Sequence, residues 1–301
     1  MKPARWAEVL VWVVPALWSS NYLIARLADG VVYPHVLALG RWTLALALLL
    51  PFVGATLWRQ RQAVRRERWQ LLFLGACGMW ICGAIVYLGG QTTTATNIAL
   101  IYAVTPVAIT VVSLKLLGER MTLAQRAAVA CAVAGVLLVI AKGDPARLLA
   151  VRFTAGDAWI VLAAASWTVY SVLLKRWPSA LPPAARLAAI TLGGIAVLLP
   201  FTAVEALVLP WLPLDARAWM LIVAAAVLPG VLSYGAYSYL QRELGASRTA
   251  LIMYLGPVYG PLGAWAVLGE APAWFHLAGA ALILPGIWLA TRPASGRSPA
   301  R

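Results

Sequence analysis

The sequence predicts an all-α integral membrane protein in which ten transmembrane helices form two inverted repeats of five. Three observations lead to this fold class. Hydrophobic residues make up 62% of the 301 residues and charged residues only 11%, whereas a soluble domain carries about 25% charged residues. The apolar residues form ten long runs, and landmarks of the first five runs return in the last five. A soluble core could not bury so much apolar surface, but a bilayer solvates it.

Ten segments are each long enough to cross a bilayer, which requires about 20 mostly apolar residues. They are 8–28, 35–57, 69–90, 95–117, 122–141, 155–174, 184–207, 217–240, 247–268 and 273–291. Capping residues mark several helix starts. Thr122 with Gln125, and Thr154 with Asp157, have the spacing of capping boxes, and Asp215 is placed to cap the eighth helix.

Positive charge indicates how the chain is oriented. The net charge is +14, but the basic residues lie in short breaks between apolar runs and not on one accessible face, so no nucleic-acid partner is expected. Eighteen of the 24 Lys and Arg residues fall on one side of the ten spans and five on the other. By the positive-inside rule, both termini lie in the cytoplasm, and we expect a multi-pass protein of a bacterial cytoplasmic (inner) membrane.

The two halves of the chain share an ordered series of landmarks. At offsets of 149 to 151 residues, the matched pairs are Trp18 and Trp167, Pro34 and Pro183, Pro51 and Pro200, Pro106 and Pro257, and Glu119 and Glu270. We therefore divide a single membrane domain into repeats 1–146 and 147–301. Because each repeat holds five spans, the second enters the membrane from the opposite side. Inverted repeats are typical of secondary transporters, whose substrate site lies near the midplane where the repeats meet.

Several motifs carry a family resemblance along essentially the whole chain. They are Pro15-Ala-Leu-Trp18-Ser-Ser-Asn21, Pro34 followed by Arg41-Trp42, the pair of segments from Ala95 through Pro106 to Gly118-Glu119, and the echo at Pro257 and Gly269-Glu270. With these motifs the chain resembles the ten-helix, EamA-type members of the drug/metabolite transporter superfamily. The resemblance implies two five-helix halves around a central cavity lined by helices 1–4 and 6–9. It also implies transport of amino acids, other metabolites, drugs or nucleotide-derived compounds, often outward.

Polar and aromatic side chains within the spans are the candidate substrate-binding residues, because a polar solute must be held inside an apolar slab. They are Trp18, Asn21, Trp80, Tyr87, Tyr102, Trp167, Tyr170, Ser171, Tyr234, Tyr237 and Tyr254. Aromatic walls with hydroxyl groups suit a zwitterion with an apolar side chain, or a flat hydrophobic cation. The alternative for each residue is simple packing or a place in the interfacial aromatic belt.

Three further residues have a predicted place in the membrane. Arg41 is an intramembrane charge, which is costly unless paired or hydrated, so it has either a cavity or pairing role or reaches the outer headgroups. Pro106 and Pro257 free backbone carbonyls in mid-span. They mark either a helix kink that acts as a gate or a static kink that aids packing.

Three glutamates are candidates for coupling or capping: Glu8, Glu119 and Glu270. Glu119 and Glu270 each precede a new helix, and capping of that following helix is the preferred interpretation. Apart from Glu8, no Asp or Glu lies well inside a span. The small four-helix relatives in the superfamily carry a mid-membrane Glu for proton exchange, so this chain departs from them and a facilitated mechanism is open.

The sequence thus predicts a secondary transporter that works by alternating access and exports amino acids or similar amphipathic solutes. The alternative is an exporter of hydrophobic or cationic drugs. An enzyme is not expected, because only His35 and His276 are available as histidines and no G-x-S-x-G motif is present. The expected partners are a small-molecule substrate and the lipid bilayer. No cofactor or metal is predicted, and the oligomeric state is open, with a monomer preferred.

Overall fold

The computed structural model describes residues 3–210, 212–269 and 271–291, and its regular elements are helices. In chain order they are α1 (Pro3–Ala28), α2 (Pro34–Arg59), α3 (Arg61–Gly90), α4 (Ala95–Leu116), α5 (Leu123–Ile140), α6 (Ala155–Arg176), α7 (Pro183–Val208), α8 (Ala216–Leu244), the interrupted segment α9 (246–268) and α10 (Trp274–Thr291). Within the described residues, nine helices are long and apolar enough to cross a membrane; α9 is not among them.

The segment α9 is broken into three pieces. An α-helix, Ala246–Leu251, is followed by a 3₁₀ turn, Ile252–Leu255, and by a second α-helix, Gly256–Leu268. The sequence predicts one continuous helix over 247–268. The position of α9 agrees with this prediction, but its interruption is not predicted. A short helix, Ala146–Leu149, lies between α5 and α6.

The predicted caps are present at three helix starts. At the start of α6, Asp157 Oδ2 accepts from the Thr154 N–H at 2.5 Å. Thr122 and Gln125 form a capping box at α5, with Thr122 Oγ1 accepting from the Gln125 N–H at 3.2 Å and Gln125 Oε1 accepting from the Thr122 N–H at 3.0 Å. Asp215 Oδ1 accepts from the Ala218 N–H at 2.8 Å at the start of α8. Each side chain satisfies an N–H group that has no partner within its own helix.

One predicted boundary differs by eight residues. The sequence predicts the third span to begin at 69, but α3 begins at Arg61. The residues 61–68 favour helix and are too polar for hydrocarbon, so the helix continues beyond its apolar part. Arg61 and Arg68 lie over the rings of Trp58 and Trp69, each at 5.4 Å from the ring centroid, as in an interfacial aromatic belt.

Glycines allow helices of the two halves to approach closely. A Cβ atom on Gly75 of α3 would lie 2.3 Å from the backbone nitrogen of Gly194 of α7. On α5, a Cβ atom at Gly135 would lie 2.8 Å from the carbonyl oxygen of Gly279 of α10. Small residues at such crossings are the usual means by which membrane helices pack without a hydrophobic driving force.

Two helices contain π-helical stretches at matching places. In α3 the π-helix covers Ala76–Ile85, and in α8 it covers Val227–Leu232. The two starts are 151 residues apart, which is the offset of the sequence repeat. Such stretches are rare and occur frequently at functional sites. The sequence analysis does not predict them.

Candidate functional site

Five aromatic side chains from α1, α6 and α8 meet between the two halves of the chain, and we call them the aromatic cluster. They are Trp18, Trp167, Tyr170, Tyr234 and Tyr237. The ring of Trp167 is central, because its centroid lies 5.1 to 5.5 Å from those of the other four. The repeat-related pair Trp18 and Trp167 meets edge to face, with an interplanar angle of 85°, a preferred geometry for aromatic rings.

The central pair of the aromatic cluster, Trp18 and Trp167, lies near the middle of α1 and α6. Trp18 is ten residues before the end of α1, and Trp167 is twelve residues after the start of α6. At 1.5 Å per residue these separations are about 15 and 18 Å along the axis, roughly half the hydrocarbon thickness of a bilayer. Trp18 and Trp167 are thus placed at similar distances from the end of α1 and from the start of α6, well away from either end of both helices.

The polar atoms of the cluster are only partly satisfied. The Tyr237 hydroxyl donates to Ser171 Oγ at 3.0 Å, and the Tyr234 hydroxyl donates to the Gly78 carbonyl, in the π-helix of α3, at 2.8 Å. Trp167 Nε1 and the Tyr170 hydroxyl are buried without a hydrogen-bond partner in the described part of the chain. Unpaired buried polar atoms are uncommon and costly. These two atoms are free to bind a polar group of a ligand.

Arg41, Asn21 and Tyr87 form a second set of contacts, the Arg41 group. Arg41 Nη1 donates to Asn21 Oδ1 at 3.3 Å, and the Tyr87 hydroxyl donates to the same oxygen at 3.0 Å. Arg41 Nη2 donates across the two halves to the Pro229 carbonyl of α8 at 3.4 Å. Arg41 is 4% exposed, and it lies seven residues, or about 10 Å, from the start of α2.

Trp42 connects the Arg41 group to the aromatic cluster. The guanidinium carbon of Arg41 lies 4.5 Å from the centroid of the Trp42 ring, and this ring meets Tyr234 edge to face at 4.9 Å. Its Nε1 donates to the Met79 carbonyl at 3.2 Å. Trp42 belongs to one of the family motifs but is not among the predicted binding residues.

Two predicted binding residues make their described contacts elsewhere. Trp80 stacks at 4.0 Å on Phe201, an exposed residue of α7. Tyr254 donates its hydroxyl to the Ala103 carbonyl of α4 at 3.0 Å. Tyr102 lies near the π-helix of α3, with its hydroxyl 3.9 Å from Cys82 Sγ.

The two predicted kink prolines lie in different local structures. Pro106 is inside α4, which continues as α-helix from Ala95 to Leu116. Pro257 is the second residue of the last piece of α9, directly after the 3₁₀ turn. Pro257 is thus placed at a real interruption, whereas the helix around Pro106 keeps its regular assignment.

The glutamates take positions that differ from the expectation. Glu119 caps a helix, but the capped helix is α9 and not the following helix α5. Its Oε1 accepts from the Ala246 N–H at 2.8 Å and its Oε2 from the Ser247 N–H at 2.9 Å. The predicted partner was wrong because the sequence shows only which helix follows, not which helix start lies nearby in space. Glu8 is exposed on α1, and Glu270 lies outside the described residues.

A buried carboxylate missed in the sequence lies near the end of α7. Glu205 accepts from the backbone N–H of His35 at 2.9 Å and from that of Val36 at 3.1 Å, and its Oε1 lies 2.8 Å from His35 Nδ1. Glu205 therefore caps the start of α2 from the other half of the chain. Its partners are 170 positions away, so no local pattern could indicate the pair.

A cavity of about 310 Å³ lies beside α1. It is lined by Ala16, Ser19, Ser20, Leu23, Tyr259, Leu262 and Gly263. These α1 residues lie on the face opposite Trp18 and Asn21, since side chains repeat every 3.6 residues. The aromatic cluster itself is closely packed, with Tyr170 and Tyr237 fully buried.

Comparison with known proteins decides the family. The sequence profile of the EamA-like transporter family matches residues 5–141 and again residues 154–292. The chain belongs to the EamA-like transporter family. With nine apolar helices in the part of the chain that the structure describes, it is a multi-pass membrane protein, and its family and relatives are transporters rather than enzymes.

Individual relatives of this EamA-like transporter cover most or part of its length. A probable terminal-alkyne amino-acid exporter of Streptantibioticus cattleyicolor is 28% identical over 99% of the chain and 96% of the relative. The uncharacterized transporter YyaM of Bacillus subtilis is 26% identical, with 91% and 89% covered. A probable amino-acid metabolite efflux pump of Salmonella typhimurium is 25% identical over 57% of the chain and 59% of the relative.

A solved crystal structure of another protein has the same fold. It aligns with a TM-score of 0.75 at 22% identity and covers 95% of this chain and 96% of its own. The agreement in fold extends over nearly the whole length of both chains.

Proposed function

We propose that this EamA-like transporter exports amino acids or similar amphipathic solutes by alternating access around the aromatic cluster. The observation that carries the proposal is the edge-to-face contact of Trp18 and Trp167 at 5.4 Å. These residues occupy equivalent places in the two halves, at mid-helix. When the two halves move relative to each other, a contact between equivalent residues opens. A solute bound at this contact is then released to one or the other side of the membrane.

The proposed architecture is ten membrane-spanning segments in two inverted halves, 1–146 and 147–301, with α9 as the ninth span. Support comes from the two separate stretches of the family match and from the equal spacing of the π-helices in α3 and α8. Helix contacts agree with a twofold relation: α5 packs on its counterpart α10, and α2 on its counterpart α7. Five segments per half place equivalent ends on opposite sides of the membrane.

For the substrate, the charge near the cluster favours a zwitterion over a cation. Arg41 is buried at one end of the aromatic cluster, and the described carboxylates form no ion pair with it. A cationic drug would be repelled by about 3 kcal/mol at 5 Å for an effective dielectric constant near 20. The relatives described as a probable amino-acid exporter and a probable amino-acid metabolite efflux pump point to the same class.

Uptake of labelled L-amino acids into proteoliposomes tests the proposal. We expect saturable uptake that excess unlabelled amino acid inhibits and that an inside-acid pH gradient leaves unchanged. Protein-free liposomes are the control, and labelled ethidium is the competing cation. Unsaturable flux would indicate a channel, and transport of ethidium without amino acids would favour the drug exporter. Acceleration by the gradient would contradict a facilitated mechanism and direct attention to Glu8, Glu119 and Glu270.

A further inference from the structure

Arg41 has an incomplete set of partners for a buried cation. Its two described hydrogen bonds are long, at 3.3 Å to Asn21 Oδ1 and 3.4 Å to the Pro229 carbonyl. Its Nε is buried with no partner, and no described carboxylate pairs with it. A guanidinium group has five N–H donors, so most of its donor capacity is unused. A buried cation in this state requires an anion or water to be stable in a membrane.

Arg186 in the same chain provides a useful contrast. Its Nη1 donates to the Leu174 carbonyl at 2.9 Å and its Nη2 to the Trp177 carbonyl at 2.8 Å. Both bonds are short and hold the loop between α6 and α7, which is a structural task. The Nε of Arg186 is also buried without a described partner, so the difference lies in the Nη bonds, which are short in Arg186 and long in Arg41 and leave the Arg41 donors available to an anion.

The position of Arg41 is suited to one end of an amphipathic solute. The guanidinium carbon of Arg41 lies 4.5 Å from the centroid of the Trp42 ring. The centroid of that ring lies 4.9 Å from that of Tyr234, a member of the aromatic cluster. We propose that Arg41 binds the carboxylate of the transported solute while the apolar part of the solute contacts the aromatic cluster. This inference rests on the proposed function and specifies its substrate class: solutes with a free carboxylate.

The contact to Pro229 explains how the site opens. Pro229 belongs to the π-helix of α8, so the 3.4 Å bond joins the two halves of the chain. Movement of α8 away from α2 breaks this weak bond and frees Nη2 beside the unpartnered Nε, while Nη1 keeps its bond to Asn21 Oδ1. A carboxylate then replaces the carbonyl with two parallel charge-assisted hydrogen bonds, the geometry that arginine favours. Asn21 and Tyr87 hold the guanidinium group in place during the exchange.

A binding experiment on the purified protein tests the site without transport. The probes are 3-phenylpropionate and phenethylamine, which share a ring and chain length but carry opposite charges, and the measurement is the shift in the thermal unfolding midpoint. We expect only the carboxylate to raise the midpoint. Arg41→Gln should weaken its apparent affinity by at least tenfold, whereas the matched control Arg186→Gln should retain it. Equal shifts by both probes on the wild type, or unchanged affinity in Arg41→Gln, overturn the proposal.

A transport experiment separates the site from the proposed function. The assay measures competition by L-phenylalaninamide against labelled L-phenylalanine in proteoliposomes. In the wild type the amide should compete at least tenfold more weakly than L-phenylalanine, and in Arg41→Gln the two should become equal. If Arg41→Gln still transports L-phenylalanine and still discriminates fully against the amide, the Arg41 site is rejected and the proposed function is retained. Arg41-dependent binding of 3-phenylpropionate without transport of any amino acid keeps the site and rejects amino acids as the cargo.

If Arg41→Gln does not fold, Arg41→Lys is the second variant, because it retains the charge but not the paired donors. Its expected effect is a several-fold weaker affinity for 3-phenylpropionate with the preference over phenethylamine preserved. Loss of that preference in a folded Arg41→Lys protein contradicts a role for the charge.

Discussion

Trp167 concentrates more ring contacts than any other member of the aromatic cluster, since it touches the other four. Trp167→Phe keeps an apolar ring but removes the indole Nε1 and part of the contact area. We expect the affinity for a transported amino acid to fall by about 5- to 20-fold, or 1–2 kcal/mol. The midpoint of thermal unfolding should change little, because a partly conserved volume costs below about 1.5 kcal/mol. Competition curves in proteoliposomes and a thermal scan measure the two effects.

Trp80→Phe is the matched control for this prediction. Trp80 is also a membrane tryptophan with an unpartnered Nε1, but it stacks on Phe201 outside the aromatic cluster. Its substitution should leave the affinity within twofold of the wild type. An equal loss in both variants would mean that Trp167 acts through general packing and not through the site.

The sequence predicts the residues of the candidate site that follow from the repeat. It does not predict the contacts between residues that are far apart in the chain. Trp18 and Trp167 could be predicted because the offset of 149 places both at mid-helix, and Asn21 followed from its spacing. Trp42 was missed because an aromatic residue in an apolar helix has no pattern that distinguishes a site from packing. The pair of Glu205 with His35 was missed because contacts across 170 positions depend on how α2 and α7 pack.

At the level of helices, hydropathy and caps located the segments well. The predicted segments 35–57 and 155–174 correspond to Pro34–Arg59 and Ala155–Arg176. The π-helices of α3 and α8 were not predictable, because one extra residue per turn is selected by packing and leaves no composition signal. In α8, Pro229 cannot donate a backbone hydrogen bond, which favours irregular helix there. The π-helix of α3 contains no proline, and the sequence offers no comparable cause.

Substitution of Glu119 tests whether this acidic residue, which recurs as Glu270 in the repeat, is a helix cap or a proton site. Its two carboxylate oxygens bond two N–H groups at the start of α9. Glu119→Gln replaces one acceptor oxygen with a donor group, so the unfolding midpoint should fall by a few degrees, for a loss of about 1–2 kcal/mol. The response of transport to a pH gradient should remain that of the wild type. Proteoliposome assays and thermal scans give both values.

Glu8→Gln is the control, because Glu8 is exposed on α1 and lies beyond the first turn of that helix. It should change neither the unfolding midpoint nor the transport rate. A wild-type protein that responds to the gradient, with a response that disappears only in Glu119→Gln, would contradict the capping role.

The family profile matches the molecule twice, and helices at corresponding places in the two matched stretches contact each other. The pairing of α5 with α10 and of α2 with α7 joins each helix to its own counterpart, and the Trp18–Trp167 contact does the same at a single pair of side chains. A twofold axis between counterparts lies in the membrane plane if the halves are inverted. In that case the two halves can exchange conformations. The outward-open and inward-open states are then related by the twofold axis, and no separate gate is required.

Cysteine labelling tests this inversion. In a background without Cys77, Cys82 and Cys131, Arg65→Cys and Leu214→Cys place one exposed thiol at each of two positions 149 residues apart, in the polar start of α3 and in the α7–α8 connection. The charge bias places the first in the cytoplasm, so an impermeant maleimide should label Leu214→Cys in intact cells and Arg65→Cys only after permeabilisation. Asp144→Cys, in the exposed connection between α5 and α6, should react as Leu214→Cys does. Labelling of both 65 and 214 from the same side would exclude inverted halves, and with them the exchange of conformations between equivalent surfaces.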